Sequence, residues 1–363
     1  MTVGGYPYAV RVAGTLSPRV LNRTLLERQH LLARARMPAL AMTEHLVGLQ
    51  AQDPLPPYLS LWSRLEGFDP AEVSAALTER TAVRVLLMRG TIHLVTAADC
   101  CELRPLMQPM LDQVTRNSQA SRAAADVPRD ALGRAGRAAF EEGPLPLKAL
   151  GEHLVEAFPG YPAGHLANSV REMLPLVQVP PRGLWKQSGG VVYETAESWL
   201  GAPLNPASDP RQLVRRFLRA YGPASAADLT AWSRVTGTKS WLDPMRDELV
   251  DYRDEAGKRL VDLVGLGLAD PDTPAPVRLL GKYDNVWLAH ADKTRVADPD
   301  KRRRWMGVNG GVGSTVFVDG MLEGLWRRTD NGTVDVELFR TLSRAERQDL
   351  DAEVGAAEQF LAR

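Results

Sequence analysis

The chain has 363 residues, with 44 basic and 44 acidic side chains and a formal net charge of zero. Its hydrophobic fraction of 44% and charged fraction of 24% are those of a soluble globular protein of two or three units, which excludes disorder, collagen and coiled coil as the dominant state. The neutral sum argues against a uniformly basic nucleic-acid binder, although a sum hides patches.

In chain order, three segments follow one plan of long helix, Gly/Pro turn, short helix, further helix and hairpin. In the first, residues 18–36 read as a helix, with Val20, Leu25, Leu31 and Leu32 apolar among Arg23, Arg28 and Arg34. The chain breaks at Met37-Pro38, and a short helix is expected over 39–50. Asp69-Pro70 supplies an N-cap and an N1 proline for the next helix. The runs 82–88 and 91–95 around Arg89-Gly90 read as a hairpin. In the second segment, helices are expected over 129–141, 147–157 and 165–174, with a break at Gly143-Pro144. Strands over 176–179 and 190–194 flank a wing-like loop, 180–189, that carries Arg182, Trp185 and Lys186. In the third, Asp209-Pro210 caps a helix to Tyr221, and Gly222-Pro223 breaks it. Ser225 with Asp228 opens the next helix in a capping-box arrangement. Residues 239–247 form a candidate recognition helix, and 249–253 and 260–264 flank a turn at Ala256-Gly257.

Three copies of this order read as three winged helix-turn-helix units. Gly-Pro turns are common in helical proteins, so on pattern alone a generic α+β fold stands beside that reading. The remainder is strand-rich: 277–280, 286–289, 314–318, 321–327 and 334–340, with hairpin turns at Asp319-Gly320 and Asp330-Asn331-Gly332. Ser343 and Glu346 form a capping box for a last helix. The expected organisation is α+β: winged-helix modules at 1–126, 127–207 and 208–272, and a small antiparallel β-domain at 273–363.

Cys100 and Cys101 are adjacent and make no disulfide framework, which suits a reducing compartment. No secretory h-region and no run of 18 apolar residues is present, so the expectation is a cytoplasmic chain without a membrane span. The zero charge is unevenly spread. Residues 11–36 hold six arginines and one acid, 211–219 four arginines, and 293–304 six basic residues against two acids. A helix bearing Arg215, Arg216 and Arg219 can track a phosphate backbone; a single such patch is more often a solvated face, and several on winged-helix modules favour DNA.

Metal chemistry finds no pattern in the six histidines (30, 45, 93, 153, 165 and 290), and neither a phosphate-binding P-loop nor a nucleophile elbow is present, so no cofactor is expected. The glycine-rich stretch 307–313 precedes a strand and reads as a loop or hairpin tip. Gln50-Ala51-Gln52 stands at the end of the first short helix. In an extended turn, residues i and i+2 project to one side, so two amides can converge on one water or sugar. On bare sequence, two exposed glutamines at a helix end is the ordinary reading.

Five segments resemble the winged-helix DNA glycosylases of the AlkZ/YcaQ type, collinearly over nearly the whole chain. They are Leu-Gln-Ala-Gln-Asp-Pro at 49–54, Met-Arg-Gly-Thr-Ile-His at 88–93, Tyr-Gly-Pro-Ala-Ser-Ala-Ala-Asp-Leu at 221–229, Trp-Leu-Ala-His-Ala-Asp at 287–292 and Val-Asp-Gly-Met-Leu-Glu-Gly at 318–324. The resemblance implies three tandem winged helices and a β-domain arranged as a C-shaped DNA clamp. It implies catalysis by Gln50 and Gln52, the Gln-x-Gln signature of the AlkZ-like branch, with Ala51 a small version of its aliphatic middle residue. The implied activity is a self-resistance DNA glycosylase that unhooks interstrand crosslinks and releases bulky N7-alkylated purines from double-stranded DNA. Arg89, Thr91 and His93 are expected near the DNA cleft, His93 being equally readable as a satisfied strand residue. Arg295, Lys301, Arg302, Arg303 and Arg304 are expected on phosphate, and 307–313 as a groove probe. His290 and Asp292 match a family segment without an assignable step. None of the seven lysines lies beside the glutamines, so the expected enzyme is monofunctional, and a clamp within one chain is expected to be a monomer. A non-catalytic winged-helix regulator and a drug-sequestering protein are the rival readings. The DNA reading requires a basic concave face around Gln50 and Gln52.

Overall fold

The computed structural model describes residues 12–116, 122, 126–306 and 313–363. In chain order its strands are β1 (Val12–Leu16), β2 (Leu49–Gln50), β3 (Ala82–Leu86), β4 (Ile92–Thr96), β5 (Leu145–Pro146), β6 (Leu176–Gln178) and β7 (Val192–Thr195), followed by β8 (Leu249–Asp254), β9 (Arg259–Leu263), β10 (Arg278–Leu280), β11 (Ser314–Val318), β12 (Met321–Arg328) and β13 (Val334–Leu338). They form three sheets, ordered β1-β8-β9, β10-β11-β12-β13 and β2-β4-β3-β6-β7-β5.

The mixed α+β composition expected from the sequence is present, as are the hairpins. The first two hairpins are fused: Arg84 lies opposite Gln178 and Val85 opposite Val177, which joins them into one six-stranded antiparallel sheet. A separate core gathers Leu132, Leu150, Leu154, Leu166, Val170 and Tyr193 of the second segment. The main core draws on the first, third and C-terminal segments together, including Leu25, Val85, Phe217, Trp232, Trp287 and Phe317.

Several elements differ from expectation, each for a local reason. The first helix is Pro18–Arg28, capped by Ser17, whose hydroxyl accepts from the Val20 N–H at 3.3 Å. His30 then takes a left-handed conformation (φ 53°), and the Leu31 N–H folds back to the Leu26 carbonyl at 2.8 Å. The short helix is Ala39–His45 rather than 39–50. A turn at Val47 (φ 54°) and Gly48 (φ 91°) ends it, and a Cβ at Gly48 would stand 2.7 Å from Val95 Cγ1, so the close approach needs glycine. Residues 286–289 are not a strand: Asp284 accepts from the Val286 N–H at 3.0 Å and starts the helix Asn285–Leu288. The candidate recognition helix is four residues, Lys239–Leu242, followed by a 3-10 stretch, Asp243–Glu248. Pro244 has no N–H to give to an α-helical hydrogen bond, although Asp243 before it keeps α geometry (φ −57°, ψ −41°). Helices Pro56–Trp62, Ala97–Arg116 and Pro299–Met306 were not foreseen.

Within the N-terminal arginine run, Arg23, Arg28 and Arg34 are tied into the fold, Arg36 is exposed beside Glu66, and Arg11 lies outside the described residues. Arg23 is fully buried and, with Arg19, grips Asp319 of the β11–β12 turn. Arg28 holds Asp262 at 2.8 Å and Arg34 holds Glu353 at 2.7 Å. Arg64 and Asp284, both wholly buried, form a two-pronged pair at 2.7 and 2.8 Å, and Arg64 also donates to the Gln29 side chain and the Ser60 carbonyl. Among the described residues, no helix is long and apolar enough to cross a membrane.

Removing one partner of a buried ion pair leaves the other charge uncompensated. Asp284→Ala is therefore expected to lower the unfolding free energy by about 3–5 kcal/mol, read from urea denaturation. A loss below 1 kcal/mol would mean the pair is not the anchor its burial indicates.

Candidate active site

After the turn at Gly48 the chain runs along the outer edge of β4, with Leu49 opposite Leu94 and Gln50 opposite His93. The Ala51 N–H donates to the Ile92 carbonyl at 2.7 Å, and the Gln52 Oε1 accepts from the Ile92 N–H at 3.3 Å. Gln50 thus stands on a strand rather than at a helix end. It is nearly buried, at 7% exposure, while Gln52 is open to solvent and Ala51 between them is wholly buried.

Arg89 organises this edge. It sits in the β3–β4 turn in a left-handed conformation (φ 60°) and donates to the Gln50 Oε1 at 3.0 Å, to the Trp232 carbonyl and to the His93 Nε2 at 3.1 Å. A guanidinium only donates, so the Gln50 atom that faces it is the carbonyl oxygen, and the His93 nitrogen that faces it carries a lone pair. The His93 Nδ1 meets the Thr91 carbonyl at 2.9 Å and must carry the proton. The ring is therefore neutral, and burial, with Arg89 beside it, pushes its pKa down to about 3. His93 is an acceptor in this site and not a proton donor at neutral pH. The Thr91 hydroxyl donates to the Met88 carbonyl at 3.1 Å and so closes the turn.

A second arginine, which sequence reasoning missed, lies behind the glutamines. Arg84 is 2% exposed and donates to the Ala51 carbonyl at 2.6 Å. Its Nε and Nη1 are buried without a partner among the described residues, and burial, with Arg182 nearby, lowers its pKa to about 10. Its signal in the sequence was a lone charge inside the apolar run Ala82–Leu86. Among the described residues, neither Arg84 nor Arg89 has a carboxylate within ion-pair distance.

The remaining expected contacts are dispersed. Arg215 is engaged two-pronged with Glu248 at 2.6 and 2.7 Å, and Arg216 with Asp99 and the Glu44 carbonyl. Arg219 is exposed. Arg295 is partly buried and donates to the Pro223 carbonyl at 3.0 Å. Lys301 holds Glu323 at 2.6 Å, Arg303 holds Asp300, and Arg304 holds Glu337 at 2.9 Å. Arg302 forms no ion pair among the described residues, and its Nε is buried without a partner. The glycine-rich stretch lies outside the described residues except for Gly313. His290 is buried beside the Tyr221 carbonyl, and Asp292 accepts from Thr294 in a local turn. Lys293 was also not singled out by sequence; it donates to the His290 carbonyl, and burial and Arg302 lower its pKa to about 8. The structure therefore joins Gln50, Arg89 and His93 by hydrogen bonds, with Gln52 and Thr91 at their flank.

The sequence profile of the AlkZ-like DNA glycosylases matches residues 43–360. An interstrand DNA cross-link repair glycosylase of Streptomyces sahachiroi is 26% identical over 157 residues, which are 40% of this chain and 42% of that protein, so the aligned stretch spans under half of the relative. The solved structure of the Streptomyces sahachiroi DNA glycosylase AlkZ superposes with a TM-score of 0.79 at 22% identity, covering 96% of this chain and 97% of that one, which shows a shared fold.

The state of His93 is measurable. Its folded pKa of about 3 lies below the ordinary histidine value, so the unfolded chain takes up the proton first as the pH falls. The stability this contributes is complete above about pH 6.5 and is lost progressively toward pH 3, and His30, held at about 4 by burial and His45, acts in the same direction. NMR is expected to show the His93 ring untitrated from pH 8 to 5, with the proton on Nδ1. An imidazolium forming near pH 6 would contradict the site geometry.

Proposed function

The chain belongs to the AlkZ-like DNA glycosylase family, and on that premise we propose that it hydrolyses the N-glycosidic bond of bulky N7-alkylated purines in double-stranded DNA. The proposal includes the unhooking of interstrand crosslinks left by a DNA-alkylating antibiotic. The observation that carries it is the Gln50 carbonyl, held in place by a partly buried Arg89 that has no internal counter-anion among the described residues.

Alkylation at N7 places a positive charge on the purine, so the base leaves without protonation. What the reaction needs is a water placed at C1′ and tolerance of oxocarbenium character on the sugar. Gln50 Oε1 accepts from Arg89 with one lone pair and retains the other for that water. The Gln52 carbonyl, exposed two residues on, is the second acceptor. The water oxygen bonds to C1′, the C1′–N9 pair returns to the base and cancels its charge, and the water proton departs to solvent. Positioning is the protein's contribution. Because a crosslinked base is tied to both strands, an open groove suits the substrate better than a closed base-flipping pocket.

The architecture of this reading is three winged-helix modules (1–126, 127–207 and 208–272) and a β-domain (273–363), arranged as a C-shaped clamp that acts as a monomer. Arg84, Arg89 and Arg182 supply positive charge around the glutamines. Among the sequence-derived cations, Arg89, Arg219, Arg295 and Arg302 form no ion pair among the described residues, and of these Arg219 is exposed. Arg215, Arg216, Arg303 and Arg304 reach phosphate only by exchanging their carboxylate partners, and Arg295 would have to leave its carbonyl. Thr91 and His93 act through the turn and through Arg89.

Gln50→Ala and Gln52→Ala are each expected to slow release of N7-alkylguanine from alkylated duplex by roughly 10²-fold, measured as free base per unit time. Full excision by both variants would remove the glutamines from the mechanism, and binding without base release by the wild-type chain would leave a DNA-binding protein.

Arg89→Met is expected to reduce the excision rate with little change in DNA affinity, because Arg89 acts through Gln50; a loss confined to affinity would make it a phosphate contact instead. Affinity itself is expected to fall linearly on a log–log plot against salt. Borohydride trapping is expected to yield no covalent protein–DNA product, Lys293 included, since its Nζ is turned to the His290 carbonyl.

A further inference from the structure

A cavity of about 190 Å³ opens immediately beyond the glutamine segment, walled by Pro54, Leu55, Tyr58, Leu184, Trp185 and Leu361. Pro54 is two residues from Gln52, which places the near wall within about 7 Å of the Gln52 backbone. The cavity lies where the first segment, the wing-like loop of the second and the C-terminal helix meet.

The walls are fixed in place. The Tyr58 hydroxyl donates to the Gly183 carbonyl at 2.7 Å, and the Trp185 backbone N–H donates to the Ser74 hydroxyl at 3.0 Å. The Tyr58 and Trp185 rings lie 4.9 Å apart, and Trp185 rests on Phe360 at 5.0 Å. Leu55, by contrast, is 39% exposed, a large apolar side chain that the core does not use. The rim is cationic. Lys186 and Arg328 are both exposed, and Arg328 has no ion pair among the described residues, whereas Arg327 beside it is paired with Asp335 at 2.9 Å.

An apolar aromatic pocket with a basic rim matches an apolar group carried by a polyanion. We propose that it is the subsite for an aromatic substituent on the alkylated base, seated while Lys186 and Arg328 face the flanking phosphates. This rests on the glycosylase reading above and names the substrate class it selects. An apolar cavity of about 150 Å³ accommodates benzene, so this one has room for a single ring or a small bicycle. A methyl adduct leaves it empty. Bulky aromatic adducts are thereby distinguished from small alkyl damage by apolar contact close to the reacting sugar.

The test uses two duplexes that differ only in the lesion, N7-benzylguanine or N7-methylguanine, each made once with ordinary deoxyribose and once with a 2′-fluoro sugar that resists hydrolysis. Fluorescence anisotropy on the resistant pair reads binding, and release of base from the ordinary pair reads catalysis. The wild-type chain is expected to bind the benzyl lesion roughly tenfold or more tightly than the methyl lesion. In Leu55→Asp, where the side chain is exposed and folding is not at stake, the benzyl-to-methyl ratio is expected to fall to near one, and Trp185→Leu to do the same. Equal affinity for the two lesions in the wild-type chain, or an unchanged ratio in Leu55→Asp, overturns the subsite. If the binding preference and its loss in the variants are observed but neither base is released, the subsite stands and the glycosylase reading falls.

Discussion

The structure depends on a charge taken out of water. Arg64 and Asp284 are both wholly buried, and the charge pair is tolerable there only because nearly every polar group around it is engaged. Asp284 accepts from Arg64, from the Ser60 hydroxyl and from the Val286 N–H, and so serves as counter-ion and helix cap together. The next residue, Asn285, donates to the Gly48 carbonyl at 3.0 Å and to the Tyr221 hydroxyl at 2.9 Å, and Tyr221 donates to the Leu46 carbonyl at 2.5 Å. Two stretches remote in sequence, at Tyr221 and at Asn285, are thus fastened to the turn at 46–48. That turn delivers Gln50 to the edge of β4. The placement of the glutamines is therefore a consequence of the main core and is not set by the short strand that bears them.

The arginines divide by the same logic. Arg28, Arg34 and Arg216 are matched with carboxylates and tie one segment to another. Arg84 and Arg89 are matched only with carbonyl and amide oxygens and an imidazole, and both press against the glutamine segment. A net charge of zero is then compatible with a local excess of positive charge. Most of the basic runs are structural, and the unmatched remainder includes the cations behind Gln50 and Gln52. The long-range field of an intramolecular ion pair is small, whereas that of a partly buried guanidinium without a counter-ion is not, so the pairing pattern is more informative about anion binding than the distribution of arginine along the chain.

What was legible in the sequence was what local chemistry decides. The caps at Asp69, Asp209, Ser225 and Ser343 are present, because a side-chain oxygen two or three residues from a free N–H is a short-range arrangement. The Asp319-Gly320 turn takes positive φ at both positions, as its residues require. The family was legible through Gln50-Ala51-Gln52 and the collinear segments around it. Illegible were the features set by distance. Ala97–Arg116 contains Pro105 and Pro109, which argue against a helix until its surroundings are known. The Val286-Trp287-Leu288 run has strand propensity, and the cap from Asp284, itself fixed by Arg64, overrides it. The pairing of β3 with β6 joins residues more than ninety positions apart, and no local signal announces it. Arg89 reads as a surface turn residue until Trp232, from another segment, is seen to accept from it.

The chemistry of the edge also bears on which DNA is left alone. Beside Gln50 and Gln52, His93 is locked neutral with Nε2 facing a cation and offers no proton to a leaving base, and Lys293, lowered to about 8 by burial, has its Nζ turned to the His290 carbonyl. An unmodified purine is a poor leaving group unless protonated, and two amides cannot protonate it. On the proposed reading, the site acts where the substrate brings its own positive charge, and ordinary bases are spared for want of an acid rather than by steric exclusion. That permits an open groove. A glycosylase armed with a strong acid has to verify each base inside a closed pocket before it reacts. One that relies on lesion charge needs only to hold a water against C1′ and can admit a base that is still tethered to the opposite strand.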